Sequence, residues 1–100
     1  MEKHKVIIFP VAKQDLTEII DYLNMLSPEV ALRRYDEIVE KIGSLAEMPA
    51  RCALLKSSEL RQKGYRALIV YDYMVFYIIN GNTVEIRRIL HGCRQYEFLL

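Results

Sequence analysis

The reactive side chains of this 100-residue chain include two histidines, two cysteines and seven tyrosines. His91 follows a strongly apolar run and sits among Arg87, Arg88 and Arg94. An imidazole there could act as acid or base near neutral pH. The plainer reading is a loop histidine hydrogen-bonded to backbone. Tyr65, Tyr71, Tyr73 and Tyr77 could stack on nucleic-acid bases, although tyrosine in a strand more commonly packs. No glycine-rich phosphate loop, GxSxG elbow or HExxH is present, and no Cys/His cluster has metal-ligand spacing, so no metal or cofactor is expected. Cys52 and Cys93 lack a CxxC partner and read as free thiols.

The elements that would carry these residues centre on 64–92. β-Branched and aromatic residues dominate there, as on a pleated, packed surface. Asp72 and Asn80-Gly81 divide the run into strands at about 65–71, 73–79 and 83–90, an antiparallel meander. Asn80-Gly81 is a strong signal for a type I′ hairpin turn, which needs positive φ at both central positions. That turn sets Val75 and Tyr77 beside Ile86 and Val84 on one face. It sets Met74, Phe76 and Ile78 beside Arg87, Glu85 and Thr83 on the other. The first face reads as core. The second is apolar but interleaved with charge, so it is either a partner site or covered by the tail residues Tyr96, Phe98, Leu99 and Leu100.

Upstream, Lys5 to Pro10 reads as a short, largely buried strand ended by proline. Ala12, Leu16, Ile19, Ile20 and Leu23 form one stripe of a helix over about 11–25. Asp15, Glu18 and Asp21 fall off the stripe and are expected to be solvated. Ser27-Pro28-Glu29 starts a second helix, with a serine cap, proline in the first turn and an acid at the positive end of the dipole. Its stripe is Ala31, Tyr35, Ile38, Ile42 and Leu45, and it should finish near Glu47. So short a link makes the pair an antiparallel hairpin, whose stripes must pack on one face of the sheet. Residues 49–63 read as a basic loop anchored by Leu60.

One hundred residues suffice for a single α+β domain over 1–100. No apolar run reaches the ~18 residues of a membrane span, and the first residues lack the pattern of a signal peptide; a cytoplasmic location is expected. Residues 1–50 carry a net charge of −3 and residues 51–100 a net +4. The basic half coincides with the sheet and could attract an acidic partner. The small total is a poor footprint for affinity resting on many phosphate contacts.

Gly64-Tyr65-Arg66, Tyr73-Met74-Val75-Phe76-Tyr77, and the run from Val84 through Ile89-Leu90-His91-Gly92-Cys93-Arg94 resemble the RelE/ParE superfamily of type II toxin–antitoxin toxins. The ending Ile-Leu-His-Gly-X-Arg is most similar to the ParE, or plasmid-stabilisation, branch, as is Val11-Ala12 followed by Asp15-Leu16 and Ile19. The resemblance covers nearly the whole chain and implies the order β-α-α-β-β-β.

RelE-type members cut messenger RNA on the ribosome by attack of a 2′-hydroxyl on the neighbouring phosphate. That reaction needs a base, cations at phosphorus and an acid. Through the Tyr-x-x-x-Tyr frame, Met74 stands where the strand arginine belongs. Tyr65 and Ala67 fall near the lysine positions, and Arg94 alone keeps its charge. Aligning Gly-Tyr-Arg instead restores the arginine as Arg66, with Glu59 as base and His91 or Tyr96 as acid, but leaves too many residues before the last strand ends. The resemblance therefore implies a ParE-like toxin that arrests growth by binding DNA gyrase. A cognate antitoxin, acidic, helical and partly disordered, would neutralise it, with Met74, Phe76, Ile78, Arg87 and Arg94 as the partner-binding set. The alternatives are a ribosome-dependent messenger-RNA nuclease and a non-toxic relative kept as a binding domain.

Overall fold

The computed structural model describes residues 3–92 and 99–100. The chain begins with β1 (Lys5–Ile8), then α1 (Pro10–Leu26) and α2 (Pro28–Gly43), followed by single 3₁₀ turns at Ser44–Ala46 and Pro49–Arg51. A short α3 (Ser58–Gln62) precedes β2 (Tyr65–Val70), β3 (Tyr73–Asn80) and β4 (Thr83–His91). The sheet order is β1-β4-β3-β2. The meander β2-β3-β4 is antiparallel and β1 joins β4 in parallel, so the sheet is mixed. The β-α-α connection is what allows this, since parallel neighbours need a long crossover.

Pro10 ends β1 and serves as the first residue of α1. Ser27 does the same work between the helices: its Oγ accepts from the Val30 N–H at 3.4 Å, and Pro28 opens α2. α2 stops at Gly43 and the 3₁₀ turn carries the chain on to Ala46, close to the expected end. Ala12, Leu16, Ile38, Ile42 and Leu45 are buried against Leu68, Val75, Tyr77, Val84, Ile86 and Ile89. Tyr35, expected on that stripe, stays exposed. β1 was expected to be largely buried. As an edge strand it alternates between exposed and half-buried residues instead.

The other sheet face holds a second, smaller core. Leu55, Leu60, Tyr65, Phe76 and Leu90 are buried there, with Leu99 and Leu100 packed against them. The segment read as a loop contains α3, and its Leu60 is the anchor expected of it. Of the tail residues, Leu99 and Leu100 do cover this face; Tyr96 and Phe98 lie outside the described residues, as does Cys93. Cys52 is a free thiol.

Two details of the β3–β4 hairpin differ from expectation. Its central residues are Gly81 and Asn82, because Asn80 pairs with Thr83, and of the two only Gly81 has positive φ (60°). Glycine at the first central position with an ordinary second residue is the II′ solution. The register therefore moves by two, pairing Tyr77 with Ile86 and Ile78 with Glu85, and an even shift leaves every side chain on its expected face. Further on, Phe76 pairs with Arg88, so Arg87 is an extra residue, a β-bulge. Without the bulge Arg88 would lie opposite Val75 on the core face. With it, Ile89 enters the main core and Leu90 the second one.

Asp15 was expected in solvent and is buried, at 7% exposure. β1 stops beside Ile86 while β4 runs on to His91, so the outer edge of β4 loses its strand partner. The Asp15 carboxylate takes that place. It accepts the Ile89 N–H at 3.0 Å and the Arg88 Nε–H and Nη2–H at 2.7 and 2.9 Å. The carboxylate raises the guanidinium's pKa. Replacing Asp15 by alanine strands Arg88 and an inward amide, so urea denaturation of Asp15→Ala should show a loss of about 3 kcal/mol.

Candidate functional site

The catalytic candidates occupy different parts of the molecule. Arg66 lies in β2 opposite Tyr77, and its guanidinium donates to the Cys52 carbonyl at 2.6 Å and the Ala50 carbonyl at 3.3 Å. His91 ends β4 opposite Tyr73. Four residues of β3 separate these two levels, roughly 13 Å of strand. Glu59 is on α3, with a largely exposed side chain 3.7 Å from Lys63. Arg94 and Tyr96 lie outside the described residues. Arg66, His91 and Glu59 therefore share no common hollow.

Met74, Phe76 and Ile78 lie together on the face of the second core. Phe76 is fully buried there, so of the two readings of this face the covered one holds at its centre; Leu55, Leu60 and the Leu99–Leu100 end roof it over. Met74 and Ile78 are half-buried at its rim. Arg87, projecting from the bulge, pairs with Glu85 at 3.0 Å. Its guanidinium lies 4.7 Å from the Phe9 ring centroid and 5.9 Å from that of Tyr65. Those two rings and the one carboxylate hold the guanidinium in place.

A hollow of about 420 Å³ with a titratable lining lies between α1 and the ends of β3 and β4. Asp15, Glu18, Tyr22, Asp72, Tyr73 and His91 border it. Tyr73 and His91 meet edge to face at 5.7 Å. Burial and the neighbouring Asp72 carboxylate push the Tyr73 phenol above its usual range. This wall is acidic where a phosphate-binding wall would be basic. Just past His91, the Gly92 N–H donates to the Asp72 carbonyl at 2.7 Å, and a side chain there would approach that oxygen to 3.1 Å. Among the described residues no group of His, Cys, Asp and Glu is arranged to hold a metal ion, and no helix is long and apolar enough to cross a membrane.

Sequence reasoning missed two structural roles, the burial of Asp15 and the hydroxyl contact of Tyr77, whose place on the core face it had given. Asp15 was overlooked because a carboxylate at the flank of an apolar stripe looks the same whether it meets water or a strand edge. Tyr77 is fully buried, and its hydroxyl donates to the Pro49 carbonyl at 2.5 Å, mooring the interhelix-to-sheet connection. No local pattern announces that contact. Burial, followed by the neighbouring Cys52 side chain, raises the pKa of the phenol well above 10. Its contribution is thus complete below pH ~10 and fades as rising pH ionises the unfolded chain's tyrosine first. Stability should fall above pH ~10 by a margin that shrinks in Tyr77→Phe, measured by urea denaturation at pH 8 and pH 11.

A family profile described as the ParE toxin of the type II toxin–antitoxin system parDE matches residues 6–96. The chain is 35% identical over 83 residues to Toxin RelE2 of Caulobacter vibrioides, covering 83% of this chain and 89% of that one. Its fold is similar to a chain of the chromosomal ParDE toxin–antitoxin system of P. aeruginosa, with a TM-score of 0.73 at 25% identity over 89% of this chain and 96% of that one. It is also similar to a chain of the toxin–antitoxin complex RelBE2 of Mycobacterium tuberculosis, with a TM-score of 0.64 at 25% identity, covering 89% and 98% respectively.

Proposed function

The chain belongs to the family of ParE toxins of type II toxin–antitoxin systems, and from that membership we propose that it acts by clasping a macromolecular target, DNA gyrase, without cleaving RNA. The observation that carries this reading is the disposition of its cations. Met74 stands where the Tyr-x-x-x-Tyr frame calls for a phosphate-facing arginine. Arg66 is engaged by two backbone carbonyls and Arg88 by Asp15. A guanidinium already committed to internal acceptors is poorly placed to meet charge developing on phosphorus.

We carry over a cognate antitoxin as the second partner, because the two similar structures come from a ParDE system and a RelBE2 toxin–antitoxin complex. An acidic antitoxin segment would meet Arg87, Met74 and Ile78 at the rim of the second core; Arg94, the remaining member of the expected set, lies outside the described residues. Phe76 would become accessible only on displacement of Leu99 and Leu100.

Purified protein at micromolar concentration should inhibit gyrase supercoiling in vitro; unaltered supercoiling would defeat the proposal. The relative named RelE2 keeps messenger-RNA cleavage as the second reading. His91→Ala separates the two. General acid–base catalysis is worth at least about 100-fold, so a nuclease using His91 would lose growth arrest and the cuts seen by primer extension. A gyrase-binding toxin should keep arresting growth within about twofold, since His91 is an exposed residue at the end of β4 and is not one of the partner-binding set Met74, Ile78 and Arg87.

A further inference from the structure

The two edges of this sheet are treated very differently. On the β4 side, the stretch beyond Ile86 is closed by the Asp15 carboxylate, and β1 itself is four residues long with Lys5 at its start. The β2 edge has no such guard past Arg66. The single bridge there joins Leu54 to Arg66, after which Ala67-Leu68-Ile69-Val70-Tyr71 runs on without a charge or a proline. Exposed edges of this composition are templates for another strand.

The direction of the free groups follows from the hairpin. In a two-residue hairpin the closing pair, here Val70 and Tyr73, is hydrogen-bonded. Alternation then turns the N–H and C=O of Tyr65, Ala67 and Ile69 away from β3. The Tyr65 carbonyl confirms the sense, since it accepts the Leu55 N–H at 3.0 Å. Ile69 thus presents both ladder groups outward beside a side chain that is 67% exposed.

We propose that this edge pairs with the same edge of a second copy of the chain, antiparallel about a two-fold axis at Ile69, giving a continuous eight-stranded sheet. Three features favour a second copy. An axis at Ile69 uses its N–H and C=O twice, as a reciprocal hydrogen-bonded pair. It also sets Tyr71 of one copy beside Ala67 of the other, the bulkiest residue of the segment against the smallest. Tyr71 is 60% exposed at a strained φ of 55°, with the Arg34 guanidinium 3.9 Å from its ring centroid.

The third feature is charge. Glu37, Glu40 and Lys41 of α2 border one groove with Ile69, Val70 and Tyr71, so α2 flanks the edge. Glu37 pairs with Arg34 through Oε1 at 3.3 Å while its Oε2 is buried without a hydrogen-bond partner, and among the described residues the Lys41 ammonium makes no salt bridge. The axis lays the two α2 helices side by side and antiparallel, with Glu37 of each copy opposite Lys41 of the other. The rim is complementary to itself.

Sedimentation velocity of the full chain from low to high micromolar concentration tests this. The wild type should show a monomer–dimer equilibrium. Ile69→Lys, at an exposed position compatible with folding, should raise the dissociation constant more than about tenfold. Glu37→Lys and Lys41→Glu should each weaken self-association, because each puts like charges across the axis. An equimolar mixture of those two variants should associate again, since both cross-axis pairs are then opposite in sign. A wild type that remains monomeric throughout, an Ile69→Lys protein that dimerises equally well, or a mixture no better than its components would each overturn the proposal.

Discussion

A buried carboxylate taking the place of a missing strand holds this architecture together. β1 ends at Ile8 because Pro10 turns the chain into α1, yet β4 continues for five residues past the last paired position. Without Asp15 those residues would offer water, or another chain, an unpaired edge beneath the first helix. With it, one side chain satisfies the Ile89 amide and holds Arg88 in a two-pronged grip, fixing where α1 lies along the sheet. Such a pair adds little net stability over an apolar substitute, but removing one partner is costly. Its contribution is geometric definition: it determines which turn of α1 meets which residue of β4.

The bulge at Arg87 belongs to the same arrangement. The extra residue sends Arg88 to the edge where Asp15 waits and returns Ile89 to the main core. It also projects Arg87 toward Phe9 and Tyr65, at the corner where β1 gives way to α1. One inserted residue thereby separates two adjacent arginines into different roles. Arg88 is structural, while Arg87 keeps a third of its side chain in solvent.

Much of the fold was legible in the residue pattern. The meander, the Ser27-Pro28 helix start, the two buried stripes and the Leu60 anchor all rest on local periodicity or on one residue's stereochemistry. What escaped depends on distant partners. The bulge leaves no mark in Val84 to Leu90, since either register keeps an apolar residue every second or third position. The turn moved by one residue because Asn80-Gly81 and Gly81-Asn82 are both acceptable hairpin centres and only strand pairing chooses between them. For the site, separate arginines and a histidine invite assembly into one constellation when read along the chain. Distance across the sheet keeps Arg66 from His91, and the carbonyls of Ala50 and Cys52 occupy Arg66.

The passage from the helices to the sheet has a consequence for how this chain can drift over generations. Tyr77 grips the carbonyl of Pro49, and Arg66 grips those of Ala50 and Cys52. All three contacts read the main chain and none reads a side chain, so the exposed position 50 can change identity while the path of the chain is preserved; position 51 is less free, because the Arg51 guanidinium donates to the Ser44 and Glu47 carbonyls. The selective burden falls instead on the two gripping residues in the sheet, far away in sequence. Variation among relatives should therefore be freest where the connection itself runs, and most constrained at the remote points that hold it.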